Sequence, residues 1–170
     1  MTAENVTLPP LAGAIKKALP KVPCAASLTK TDLDLRVAPA DLLALVQGLK
    51  DHPDLGFDYL RNVTGLDMQE NGLELKYHFY SFKHGHTVQV TVATPPGESH
   101  LPTLAGLYAA ADWHEREAAE MFGFVFDGHP DPRNLLLEED LRIHPLLKAH
   151  PLQPVEIVQG IEDGRAGFEF

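Results

Sequence analysis

Two stretches of strict alternation constrain the fold more than anything else in this chain. Leu73, Leu75, Tyr77 and Phe79 alternate with Glu74, Lys76 and His78; Val88, Val90 and Val92 alternate with Gln89 and Thr91. A period of two sends successive side chains to opposite faces, so each stretch is a strand with one apolar face. Between them lies Lys83-His84-Gly85-His86, polar and glycine-containing, which predicts a hairpin turn. The apolar face of such a pair must be covered by other elements.

The flanking segments supply that cover. Leu11, Ile15 and Ala18 recur at helical spacing around Lys16 and Lys17, which predicts a short amphipathic helix stopped by Pro20. Residues 32–37 set Leu33, Leu35 and Val37 against Asp32, Asp34 and Arg36, a half-buried strand. Leu42, Leu45, Val46 and Leu49 mark a helix of about three turns, bounded by Pro53. Phe57 to Val63 is aromatic and β-branched enough for a strand, although its alternation is imperfect. Pro95-Pro96-Gly97 ends the sheet, and Pro102-Thr103 opens a helical region containing Leu104, Leu107 and Tyr108. Asp112, with Glu115 three residues on, fits a fresh N-cap, and Gly123 fits a left-handed C-terminal position. The order helix, strand, helix, three strands, helix predicts an α+β fold, with helices packed on a small mixed or antiparallel sheet.

Beyond Gly123 the pattern changes. Residues 124–170 hold Pro130, Pro132, Pro145, Pro151 and Pro154 and little periodicity, yet Leu135, Leu136, Leu137, Leu141, Leu146, Leu147 and Leu152 are apolar. The expected organisation is an α+β domain over 1–123 and an extended, proline-rich, partner-binding arm over 124–170. Leucines in such an arm need cover, either from the domain or from another protein.

Composition removes several functions. A formal net charge of −10 speaks against nucleic acid and anionic lipid as partners. No apolar run approaches the roughly 20 residues of a spanning helix. Met1 to Pro10 lacks the basic flank and apolar core of a signal peptide, so the expected location is cytoplasmic. Cys24 is the only cysteine. It can form no intrachain disulfide, and an iron–sulfur cluster needs about four thiolates, so any redox role of this chain is indirect.

Candidate chemistry concentrates at 112–133. Arg116 and Glu120 are one helical turn apart and suited to a weak ion pair. Glu115 falls on the side carrying Ala118, Ala119 and Phe122, where a carboxylate needs a cationic or hydrogen-bonding partner. Arg133 or an arginine of a neighbouring protein would serve; the alternative is that Glu115, Arg116 and Glu117 form a solvated helix start. A hydrolase using Glu115 or Glu117 with His129 would have acid–base groups but no nucleophile or evident pocket. Of nine histidines, His84 and His86 sit near the hairpin tip without further ligands nearby in sequence. His129-Pro130, His144-Pro145 and His150-Pro151 are better suited to tying down an extended arm by hydrogen bonds than to holding a metal.

The stretch Glu115-Arg116-Glu117, then Met121-Phe122-Gly123, then Gly128-His129-Pro130-Asp131, resembles the signature of the 30-kilodalton subunit family of respiratory complex I, the NADH–quinone oxidoreductase of bacteria. The module also occurs in membrane-bound, energy-converting nickel–iron hydrogenases and formate hydrogenlyase. Leu101-Pro102-Thr103, Val63-Thr64-Gly65-Leu66-Asp67 and His144-Pro145-Leu146 with Lys148, Pro151 and Leu152 extend the likeness over about 55–152. Departures stand at Ala119, Glu120, Pro132 and Asn134, and in the closing motif at Ile143, Leu147, Ala149 and His150. The resemblance implies a non-catalytic subunit without its own cofactor, peripheral on the cytoplasmic side of the membrane. Its implied partners are a large quinone-site or hydrogenase-like subunit and a small iron–sulfur subunit. Iron–sulfur clusters and quinone, or a nickel–iron centre, would reside on those chains. The residues it implies at the interface or in anchoring the arm are Glu115, Arg116, Glu117, Phe122, Gly123, Gly128, His129, Pro130, Asp131, Arg133, His144, Pro145, Leu146 and Lys148.

Overall fold

The computed structural model describes residues 9–30, 32–138, 141 and 143–150. Pro151, Leu152 and Pro154, and the rest of 151–170, lie outside the described residues. The elements run α1 (Pro10–Ala18), β1 (Cys24–Leu28), β2 (Leu33–Val37), α2 (Leu42–Asp51), β3 (Tyr59–Asp67), β4 (Leu73–Ser81), β5 (His86–Thr94), β6 (His100–Pro102), α3 (Ala109–Phe122) and β7 (Val125–Asp127). The fold is α+β with three helices and a mixed sheet, as expected. Five strands form one sheet in the order β1-β2-β5-β4-β3, and β6 pairs with β7 in a small second one.

The alternating pair forms the sheet's centre. Tyr77 lies opposite Val90 and His78 opposite Gln89, so the apolar members of both strands share one face. β2 joins β5 in parallel, Leu35 opposite Val90. The imperfect alternation before Val63 has a structural cause: the β3–β4 register shifts between Leu60 and Asn62, a bulge that lets Leu60 and Val63 both face inward. One core joins this face to Ile15 of α1, to Leu42, Leu45, Val46 and Leu49 of α2, and to Ala111 and Ala118 of α3. The four α2 residues are fully buried, each contributing about 1.5–3 kcal/mol of transfer free energy.

The opposite sheet face is polar but paired. Thr91 Oγ1 and Gln89 Nε2 donate to Asp34 Oδ1 at 2.6 and 2.8 Å, His78 Nε2 lies 2.9 Å from Gln89 Oε1, and Arg36 donates to Glu74 at 2.9 Å. Asp34 is only 3% exposed, so these bonds offset the cost of burying a carboxylate.

Three sequence expectations need correction. The residues Cys24-Ala25-Ala26-Ser27-Leu28 form a sheet-edge strand, β1, that the periodicity does not predict; they are mostly small and their pattern is too weak to announce it. Pro102 to Tyr108 is not helical. Thr103 N–H donates to Asp127 O, and Leu104 N–H donates to the Glu115 carboxylate, so β7 and a buried side chain take the bonds that a helix would have used. Helix α3 accordingly starts at Ala109 with Tyr108 as N-cap, and Asp112 lies within its first turn. Residues 125–127, expected at the start of the arm, are strand β7 against β6.

Candidate functional site

The sequence-predicted residues converge on the seam between α3 and the chain that follows it. Helix α3 lies along β3 because Gly65 has no side chain: a Cβ there would lie 2.4 Å from the Phe122 ring. Gly123 ends the helix at φ 83°, with its N–H donating to Ala119 O. A Cβ at Gly123 would meet the His144 ring at 2.9 Å. Glycine is therefore required twice there, for the turn and for the returning arm.

The returning segment is held mainly through its backbone. Arg116 Nε donates to Arg133 O and its Nη2 to Asn134 O, both at 2.9 Å. The Glu120 carboxylate accepts the N–H groups of Leu135, Leu136 and Leu137 at 2.8, 3.0 and 3.2 Å. Three consecutive amides converging on one carboxylate form a fixed, charge-assisted turn. His144 Nδ1 lies 2.9 Å from Glu120 O, and Leu146 N–H donates to Met121 O. Lys148 N–H donates to Asp67 Oδ2 at 2.8 Å. That bond and one from Gln69 hold the Asp67 carboxyl below its ordinary range.

The expected Arg116–Glu120 ion pair does not form, because both side chains are committed to arm backbone. Arg133 does not meet Glu115; it forms a bidentate pair with Asp131 at 2.7 and 2.8 Å. That pair holds the Asp131 carboxyl well below the usual carboxylate range, with Arg116 Nη1 3.5 Å away. Nor is Glu115 part of a solvated helix start. It is fully buried, accepting from Thr103 Oγ1 at 2.5 Å and Leu104 N–H at 2.8 Å. Burial pushes its pKa up to about 7 against the opposing pull of those two bonds, and the Asp112 charge adds to the rise.

His129 acts as an anchor. Its Nε2 lies 3.2 Å from Asp112 O, and its Nδ1 accepts the Asp131 N–H at 3.1 Å. His129 Nε2 stands 3.9 Å from Glu115 Oε2, too far for a hydrogen bond. A cavity of about 190 Å³ borders Glu115, Arg116, Phe124, Phe126, His129 and Pro132. The chain turns beforehand at Gly128, φ 81°, packed near Thr103. Glu117 and Pro130 are exposed, and Pro145 is half-buried. Sequence reasoning misses Gly65, Asp67, Thr103 and Asn134 as seam residues and misassigns Glu120. The signal for Glu120 is the carboxylate itself, three positions from a helix-ending glycine.

The other histidines serve the hairpin. His84 and His86 stack at 5.4 Å, with Nε2 atoms 3.1 Å from Pro53 O and 3.2 Å from Leu55 O. Among the described residues no group of three or more His, Cys, Asp or Glu could hold a metal ion. No helix among them is long and apolar enough to cross a membrane.

Apolar side chains face outward along the seam. Leu136 is 65% exposed, Trp113 61%, Leu146 56% and Ile143 47%. The backbone of this segment is thus held inward while these apolar side chains stay exposed.

Comparison with known proteins gives a consistent result. The family described as respiratory-chain NADH dehydrogenase, 30 Kd subunit, matches residues 35–156. The chain is 34% identical over 159 residues to a NADH-quinone oxidoreductase subunit of Roseiflexus sp. (strain RS-1), covering 92% of this chain and 90% of that one. It is 38% identical over 120 residues to the NADH-quinone oxidoreductase subunit of the same name in Nocardioides sp. (strain ATCC BAA-499 / JS614), covering 69% of this chain but only 48% of that longer relative. Among solved structures, a trypsin-resistant fragment of Nqo5 is similar at TM-score 0.59 and 26% identity, covering 71% of this chain and 98% of the fragment. A chain of the membrane-bound sulfane sulfur reductase, an archaeal respiratory membrane complex, shares the fold at TM-score 0.70 and 20% identity, covering 93% and 92%.

Proposed function

The chain belongs to the respiratory-chain NADH dehydrogenase 30 Kd subunit family, and from that premise we propose that it is a non-catalytic, peripheral subunit of a complex I-type oxidoreductase. Its task is to brace the large quinone-site subunit during electron transfer to quinone. The partners are that large subunit and a small iron–sulfur subunit. The iron–sulfur clusters and the quinone belong to partner chains, and the complex sits on the cytoplasmic side of the membrane. The observation that carries this reading is the arm: Arg116 and Glu120 hold its backbone, while Leu136, Ile143 and Leu146 point outward. A buried Glu115 beside a nearly buried His129 is poorly suited to turnover of a substrate, so the bracing role is favoured over hydrolysis.

A second reading is the equivalent subunit of a membrane-bound nickel–iron hydrogenase or formate hydrogenlyase. It draws on the departures at Ile143, Leu147, Ala149 and His150 from the closing motif of the respiratory branch. Affinity capture of the tagged chain from detergent-solubilised native membranes, followed by mass spectrometry, tests both. Recovery of a large quinone-site subunit with iron–sulfur partners supports the first reading. A large partner carrying cysteine pairs suited to nickel supports the second. Recovery of the chain alone, from the soluble fraction, contradicts both.

A further inference from the structure

We propose that the half-open cavity between helix α1 and edge strand β1 binds a free, single-chain amphiphile with an anionic head. The cavity lies at the β1 edge of the sheet, whereas α3 packs on β3 at the opposite edge, so the proposal does not rest on the role in a complex.

The cavity has a volume of about 700 Å³, within the range of about 300–1,000 Å³ usual for small-ligand sites. Small residues on both walls make the space. Strand β1 turns Cys24 and Ala26 to the apolar face of the sheet, where Ala26 lies opposite Leu35. Helix α1 faces them with Ala12 and Gly13. A Cβ added at Gly13 would meet nothing within 4 Å, so the space in front of it is open. A glycine inside a helix weakens it, and this one relieves no close approach. Its effect is to keep the cavity wide. Leu19, Val22 and Leu35 make the remaining wall apolar and suited to an alkyl chain.

The rim of the cavity is cationic. Lys16 borders it, exposed and one helical turn beyond Ala12. Residues 5–31 hold Lys16, Lys17, Lys21 and Lys30 and no Asp or Glu, in a chain of formal net charge −10. The overall charge, which argues against anionic partners for the chain as a whole, is therefore reversed locally. Lys16, Lys17 and Lys21 form no salt bridge with any of the described residues. The Lys16 charge also reaches the cavity floor, where it pulls against the burial that pushes the Cys24 thiol up. An apolar slot with a cationic rim selects an anionic head on an unbranched hydrocarbon tail. A neutral tail of the same length leaves the lysines unused, and a cationic one is repelled.

Cys24 is the only cysteine, so its alkylation by N-ethylmaleimide reports on this cavity alone. In the full chain, dodecanoate below its micelle concentration should slow alkylation at least about fivefold. Dodecyltrimethylammonium at the same concentration should not. Gly13→Leu should abolish the protection by filling the cavity, without lowering the thermal midpoint, because leucine is the better helix former. Lys16→Gln combined with Lys17→Gln should weaken dodecanoate by about fivefold and leave the weaker binding of dodecanol unchanged. Alkylation unaffected by dodecanoate overturns the proposal. So does equal protection by the cationic amphiphile, protection that survives in Gly13→Leu, or a dodecanoate affinity unmoved by the loss of the two lysines. Pelleting with phosphatidylglycerol vesicles without protection by dodecanoate would assign the lysines to a membrane surface instead. Alkylation slowed by protein concentration alone would give the cavity to a second copy, and alkylation accelerated by deleting residues 1–8 would give it to that segment; either result overturns the proposal.

Discussion

Gly123 shows how much one residue settles at this seam. Its φ of 83° and the 2.9 Å approach of the His144 ring leave no room for a side chain. Gly123→Ala should cost about 2 kcal/mol, which for a chain of this size lowers the thermal midpoint by about 4–8 °C. An unchanged midpoint in a calorimetric scan would mean that the turn tolerates a Cβ. Glu115 makes a prediction of opposite character, in pH rather than temperature. Its carboxyl is raised from an ordinary 4.5 to about 7 in the fold, so the folded state holds the proton more tightly than the unfolded chain. The stability it contributes is full below pH 4.5 and is lost as pH rises to about 7. Urea unfolding at pH 5 and pH 8 should therefore show Glu115→Gln gaining on the unaltered chain as pH rises, by on the order of 1–3 kcal/mol. Asp131, held low by Arg133, has the reverse sign: its contribution is present above the ordinary carboxylate range and is lost only as pH falls below it.

At the scale of elements, the α3–arm seam rests on one carboxylate more than on any other group. Glu120→Ala leaves the N–H groups of Leu135, Leu136 and Leu137 without their acceptor. Those three amides should exchange at least about tenfold faster, while amides of β4 and β5 stay protected. Equal acceleration across the sheet would instead make Glu120 a support of the whole fold. Elements differ in how legible they are in the sequence. β4, β5 and α2 declare themselves because their apolar periods match their geometry; Leu75, Tyr77, Phe79, Val88, Val90 and Val92 are buried, although Glu74, Gln89 and Thr91 on the other face are buried too and Leu73 only partly so. Edge strand β1 carries no such period, and Leu104, Leu107 and Tyr108, spaced as on a helix, lie instead in a turn before α3. The roles of Glu120 and Glu115 are hidden for another reason. Each carboxylate binds backbone N–H groups 11 to 17 residues away, and a backbone donor leaves no trace in side-chain spacing. The histidine anchors can be foreseen because His-Pro pairs favour extended chain, and His129 and His144 do lie against the α3 backbone.

At the scale of the whole molecule, the two faces of the described residues differ in character. The core joins three helices to a single sheet face, and the polar opposite face is satisfied internally by Asp34, Gln89, Thr91, Arg36 and Glu74. The α3–arm surface instead turns Trp113, Leu136, Ile143 and Leu146 outward. Under the proposed function, that surface is the one that meets the large subunit. The most direct test is co-purification of the triple variant Leu136→Ser, Ile143→Ser, Leu146→Ser from native membranes, beside the unaltered chain. All three side chains are largely solvent-facing, so the variant should keep its fold and thermal midpoint yet lose the large subunit and its iron–sulfur partners. Full recovery of those partners with the triple variant would contradict the bracing role assigned to the arm.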